Sequence, residues 1–192
     1  MQTGPQAISA GVAAQSLLIN PRALAGFAAL LVAGLLLLLY FYRRRVYILY
    51  WCGGWALTAA SMLVAAAQYS RLQLGWMAYG LSQFLGIVAA LVFVVSADAY
   101  RSTPRLRRAY ALVVMPLLIW FALAPVALGP AAVFAPGHLL IGGALAAAGI
   151  AHLALLRETR LLGAALCGAM LIATGAAHLW IAYSIPKPDA DA

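Results

Sequence analysis

Six apolar stretches, each about as long as a membrane is thick, follow one another along this chain with short basic or polar connections between them. A helix rises ~1.5 Å per residue and satisfies its own backbone polar groups, so ~20 apolar residues cross a hydrocarbon core of ~30 Å. The stretches lie at about 22–42, 46–68, 75–98, 110–128, 138–156 and 161–185. The expected fold is an all-α polytopic membrane protein, a bundle of six transmembrane helices over residues 22–185. Composition agrees, since 66% of the 192 residues are hydrophobic and 8% are charged, against ~25% charged in an ordinary soluble domain. Residues 1–21 form an N-terminal polar segment whose weak apolar stripe (Ile8, Val12, Leu18, Ile19) is too short to cross and suits the interface. Residues 186–192 form a polar tail.

The net charge of +8 points to nucleic acid only if its distribution is ignored. Nine of the twelve basic residues fall in three clusters: Arg43, Arg44 and Arg45; Arg101, Arg105, Arg107 and Arg108; Arg157 and Arg160. These follow the first, third and fifth stretches and therefore collect on one side, as cytoplasmic loops do. The other side receives Arg22, Arg71 and Lys187. With six crossings, both termini lie outside the cytoplasm. The first stretch ends in arginines without a small-residue cleavage site and reads as a retained anchor, not a signal peptide.

Lipid tails are as apolar as leucine, so membrane helices associate where small residues let backbones approach. The fifth helix offers Gly142, Ala146 and Gly149, and the sixth Gly163, Ala164, Gly168 and Gly175. These two helices are expected to pack closely. Pro116 and Pro125 each remove a backbone donor from the fourth helix, where a kink is expected.

Of the four acidic residues, Asp98 and Glu158 lie at helix ends beside arginines and Asp189 and Asp191 in the tail, which argues against a mid-membrane proton relay. Three polar faces point inward by helical spacing: Thr58, Ser61, Ala65 and Gln68; Tyr79, Gln83 and Gly86; Gly163, Cys167, Met170, Thr174 and His178. A polar group facing lipid is costly, so these faces are expected inside, either joined by hydrogen bonds or lining a small polar cavity around Gln83, Thr174 and His178. His138 and His152 are fourteen residues apart on one helix, ~21 Å, and do not share a metal. His138 is expected near the surface and His178 ~10 Å deep, which makes interhelical hydrogen bonding the better reading than a shared haem or metal. Trp51 and Trp76 suit interfacial anchoring at opposite faces, with Trp55 a turn deeper. Cys52 and Cys167 lack the spacing of redox or metal pairs. No nucleophile–base pair or phosphate loop is present, so no catalysis is expected. No cofactor is read from the residues, and a bound lipid or pigment would leave no sequence signature.

The order Tyr40-Phe41-Tyr42-Arg43-Arg44-Arg45, then Tyr47, Tyr50-Trp51 and Gly54-Trp55, resembles the multi-pass N-terminal membrane sensor regions of bacterial diguanylate cyclases and histidine kinases. There, an apolar helix ends in arginines and a Tyr-Trp-x-x-Gly-Trp element opens the next; Gln83 and the following Arg/Pro loop are similar too, so that the likeness covers residues 24–160. The resemblance implies a bacterial cytoplasmic membrane and a sensory role exercised through a protein partner. No Gly-Gly-Asp-Glu-Phe signature or kinase domain follows the sixth helix, and an even count of crossings is at odds with a cytoplasmic output domain.

The expected function is that of a non-catalytic sensory or interaction module. The alternative is a structural accessory subunit of a larger respiratory or photosynthetic membrane complex. A small transporter or channel comes third, since no internal repeat is evident.

Overall fold

The computed structural model describes residues 20–67, 72–101, 108–159 and 162–184, and within these it is entirely helical apart from the turns. Six helices follow in order: α1 (Pro21–Arg43), α2 (Val46–Ala66), α3 (Leu72–Arg101), α4 (Arg108–Leu128), α5 (Ala131–Thr159) and α6 (Leu162–Tyr183). The segment 1–19, Gln68, Arg71, Arg105, Arg107, Arg160 and the tail 186–192 lie outside the described residues, and Arg101, Arg108 and Arg157 are placed by their backbone alone.

Local chemistry explains the helix ends. Asn20 caps α1 by accepting from the Arg22 N–H at 2.9 Å, with Pro21 in the first position, where no donor is missed. Its Nδ2 also donates to Ala66 O at 3.4 Å, tying the start of α1 to the end of α2. At the other end Arg44 takes a left-handed conformation, φ 53°, and its N–H donates to Tyr40 O at 2.7 Å. That single residue stops α1 and lets α2 begin at Val46. Gly129, φ 90°, makes the equivalent reversal between α4 and α5.

Among the described residues five helical segments are long and apolar enough to cross a membrane: Pro21–Arg43, Val46–Ala66, Leu74–Tyr100, Ala131–Leu155 and Leu162–Tyr183. In α4 the apolar stretch is shorter, Val113–Leu128, or ~24 Å. Burial inverts the soluble pattern. On α1 the buried residues are Ala23, Gly26, Ala29 and Ala33, while Leu24, Leu31, Leu35 and Leu38 point outward. Small residues make the helix contacts and large apolar ones meet the surroundings, as expected of a surface bathed in lipid.

Helix α3 is the centre. It packs on α2, α4 and α5, while α1 packs along α2 and α6 along α5. The α1–α2 and α5–α6 hairpins thus flank one face of α3, with α4 on another. The core, built on Ile87, Ala90, Phe93, Phe121, Val133 and Ile141, fills the junction.

One expected boundary is wrong in a way that matters. The fifth helix starts at Ala131, seven residues before His138, and runs through Pro136 and Gly137. Pro136 lacks only the bond to the Ala132 carbonyl, a loss tolerated one turn from a helix end. His138 therefore lies ~10 Å inside α5 rather than at the surface. Pro116 and Pro125 likewise sit within an uninterrupted α4.

Candidate functional site

The largest hollow, about 780 Å³, is an open depression beside Tyr79, Phe134 and Trp180. Two smaller cavities reach into the bundle, and the first of these, about 560 Å³, lies between the hairpins with α3 as its back wall. Along α3 its lining runs Tyr79, Ser82, Gln83, Gly86, Ala89, Ala90 and Phe93, one continuous helical face. It lies toward the end where α1 begins, opposite Arg43 and Arg44. We call these the histidine end and the arginine end.

Four polar side chains converge there. His138 and His178 meet across the α5–α6 interface with Nδ1···Nδ1 at 2.8 Å and ring centroids 5.0 Å apart. In this pair one ring donates and the other accepts, so one Nε2–H remains as a donor. Gln83 Nε2 donates to the Tyr79 hydroxyl oxygen at 3.2 Å. The Tyr79 ring stacks on Phe134 at 6.2 Å and 12°, and Phe134 packs edge-on against His138 at 4.7 Å.

Gln83 is 8% exposed, and its Oε1 is buried with no hydrogen-bond partner among the described residues. It has room only because residue 137 is glycine; a Cβ there would lie 2.6 Å from Oε1. An unpaired buried amide oxygen costs ~1–3 kcal/mol. Turning the amide over would let Oε1 accept from Tyr79 and leave Nε2 over instead, so one amide group stays available in either setting.

The remaining sequence candidates are only partly used. Thr58, Ser61 and Ala65 line the cavity as expected, and so does Thr174. Yet Thr58 Oγ1 donates to Gly54 O and Thr174 Oγ1 to Met170 O, both at 2.9 Å, so each hydroxyl is spent on its own helix. Thr174 sits in an exposed position, and Met170, expected on an inward face, is exposed as well. Ser61 Oγ donates to Ser82 O at 2.7 Å and joins α2 to α3.

His138 is the correction of greatest consequence. The expected mismatch in depth with His178 does not exist, because α5 begins a further two turns earlier. Arg22 is the second residue missed; it lines the cavity from α1.

The smaller cavity, about 330 Å³, lies at the arginine end beside Tyr47, Trp51, Ser96, Tyr100, His152 and Cys167. His152 is buried, its Nδ1 donating to Ala148 O at 2.8 Å and its Nε2 lying 3.3 Å from Ser96 Oγ. Trp51, read as an interfacial anchor, instead packs inward on Phe93 at 5.2 Å and edge-on to His152 at 5.2 Å. Trp55 packs on Phe93 at 5.8 Å. These three rings form the partition between the two cavities.

The histidine contact offers a direct test of packing. In a double-mutant cycle of His138→Leu and His178→Leu, read by thermal unfolding in detergent, the pair should couple by ~0.6–1.7 kcal/mol, the range of interhelical polar contacts in membrane proteins. Strict additivity would show that the two rings do not interact. Comparison of the chain with protein-family models, with curated proteins and with solved structures finds no match in any of the three.

Proposed function

We propose that this protein is a non-catalytic sensory module of a bacterial cytoplasmic membrane. It crosses six times with the arginine end on the cytoplasmic side, and it takes a small ligand in the cavity at the histidine end. The observation that carries the reading is the cavity itself: a largely apolar space of about 560 Å³ into which Tyr79, Gln83, His138 and His178 bring a few placed polar groups. That combination is the usual form of a small-molecule site.

A route to the opposite end also supports it. The ligand space ends on Trp55 and Phe93, and Phe93 touches Trp51, which lines the second cavity beside the arginine end. Gly54 gives the Phe93 ring its place, since a Cβ there would lie 2.6 Å from the ring edge. Filling the upper space would press on Phe93, move Trp51, and shift the ends that carry Arg43, Arg101 and Arg157 toward or away from a protein partner.

The test is purification of the tagged protein from its own membranes in mild detergent, with mass spectrometry of co-purifying proteins and small molecules. The expected result is a signalling protein at modest occupancy and a small molecule that is lost in Gln83→Leu and in His178→Leu, with insertion unchanged. A fixed stoichiometric assembly that both variants leave intact would instead establish the accessory-subunit role and overturn the sensory one.

A further inference from the structure

Shape and charge narrow the ligand class for this cavity, an argument that rests on the ligand-binding reading above. From Tyr79 to Phe93 the lining of α3 advances fourteen residues, ~21 Å. A space of about 560 Å³ drawn out along that helix face is elongated and suits an extended chain.

Polarity is distributed unevenly along it. The histidine end holds Arg22, Tyr79, Gln83, His138 and His178, whereas the deep part is walled by Ala89, Ala90, Phe93, Leu145, Leu171 and Trp55. The ligand is therefore amphipathic, with a single chain and a head at one end.

The head's charge follows from what the site lacks. No Asp or Glu lines the cavity, and no carboxylate pairs with Arg22 among the described residues. The available groups are mostly donors. Besides the guanidinium they include the Tyr79 O–H, free to point into the cavity because its oxygen already accepts from Gln83, and the remaining imidazole N–H of the histidine pair. Arg22 also stands in the first turn of α1, where the positive end of the helix dipole adds to its charge. A guanidinium fork matches a carboxylate.

We infer that the cavity binds a long-chain carboxylate of the fatty-acid type, with its head between Arg22, Tyr79 and the His138–His178 pair and its chain lying along α3 toward Phe93. The bilayer is the source. Among the described residues no extensive packing joins α1 to α6, and the entry we infer is sideways between them.

The experiment uses the full chain in nanodiscs of neutral phospholipid and palmitic acid carrying a photoactivatable diazirine at its tail end. Saturable labelling at and around Trp55 and Phe93 is expected, competed by unlabelled palmitic acid. Arg22→Gln should weaken competition about tenfold or more, as the loss of a charged hydrogen bond of ~1.5–3 kcal/mol implies. Thr58→Trp, which fills the channel without touching the head group's partners, should abolish labelling.

Methyl palmitate should compete about tenfold less well than the acid, again from the loss of one charged contact. Equal competition by the ester, or unchanged affinity in Arg22→Gln, would overturn the carboxylate assignment. Stronger competition by a single-chain phosphate amphiphile would overturn it in favour of a phosphate head. Labelling confined to the outer leucines of α1 would show annular lipid contact and no site. The two readings fail separately: a fatty acid bound as described within a fixed stoichiometric complex would sink the sensory role alone, while another co-purified ligand lost in Gln83→Leu would sink the fatty acid alone.

Discussion

Replacing Gly80 by valine should detach α4 from the bundle and give one of the largest losses of stability of any single substitution in the protein. A Cβ on residue 80 would fall on the carbonyl oxygen of Phe121 and lie 2.7 Å from Pro125 Cγ. The closeness has a chemical origin. Pro125 has no N–H, so within α4 the Phe121 carbonyl four residues earlier lacks its helical donor. A bare glycine Cα on the neighbouring helix can come near enough to offer a weak C–H contact in its place. Backbone cannot yield as a flexible side chain can, so the substitution should cost at least the ~1–3 kcal/mol typical of overpacking. Phe121 and Pro125 are both fully buried, and they become accessible if α4 lifts away. The measurement is thermal unfolding in detergent, with limited proteolysis to locate the loosened segment. Gly53→Val on α2 serves as the control, because a Cβ there meets nothing within 4 Å. Equal stability of the two variants would disprove the close approach of α3 and α4.

Much of this fold is legible in the sequence because membrane helices obey few rules. Length, hydropathy and arginine clusters place the helices, and small residues mark where they meet. The inward face of α3 is readable too: Tyr79, Gln83 and Gly86 share it and all line the cavity. The failures have a common cause. Where the environment is apolar throughout, an apolar stretch does not announce its ends, so residues 131–137, rich in alanine and holding Pro136 and Gly137, pass for a loop while the structure winds them into α5. That one misjudged end displaces His138 by two turns: interhelical hydrogen bonding is the expected role of these histidines, but the depth error conceals that they bond to each other. Spacing shows which side of a helix a residue occupies, but not what its polar atom does there. Thr58 and Thr174 lie on the expected faces and still give their hydrogens to carbonyls one turn back. Arg22 was hidden by the opposite error, since a lone basic residue at a helix start reads as topology until another helix is seen to bring a cavity beside it.

The second large effect is expected at the seam between α5 and α6. Gly149 and Gly168 face each other so closely that a Cβ on either would meet the other's carbonyl oxygen, at 2.6 Å and 2.8 Å. Gly142 and Gly175 repeat the arrangement at 2.8 Å and 2.7 Å. The pairs stand seven residues apart on both helices, which locks one antiparallel register, and continuing that register toward the histidine end brings His138 beside His178. The glycine seam thus positions the histidines. Gly142→Leu should separate the helices at the cavity, break the histidine contact and abolish ligand binding there. Gly149→Leu, a further two turns toward the arginine end, should open the hairpin near Cys167. That thiol is half-buried in the native protein, so its alkylation in a Cys52→Ser background provides the readout. Rapid labelling is expected in Gly149→Leu and slow labelling in the parent. The outward-facing Gly143→Leu, with open space at its Cβ, should behave as the parent. Slow labelling in all three would mean that α5 and α6 are not held together by these glycines, and that the histidine pair owes its register to something else.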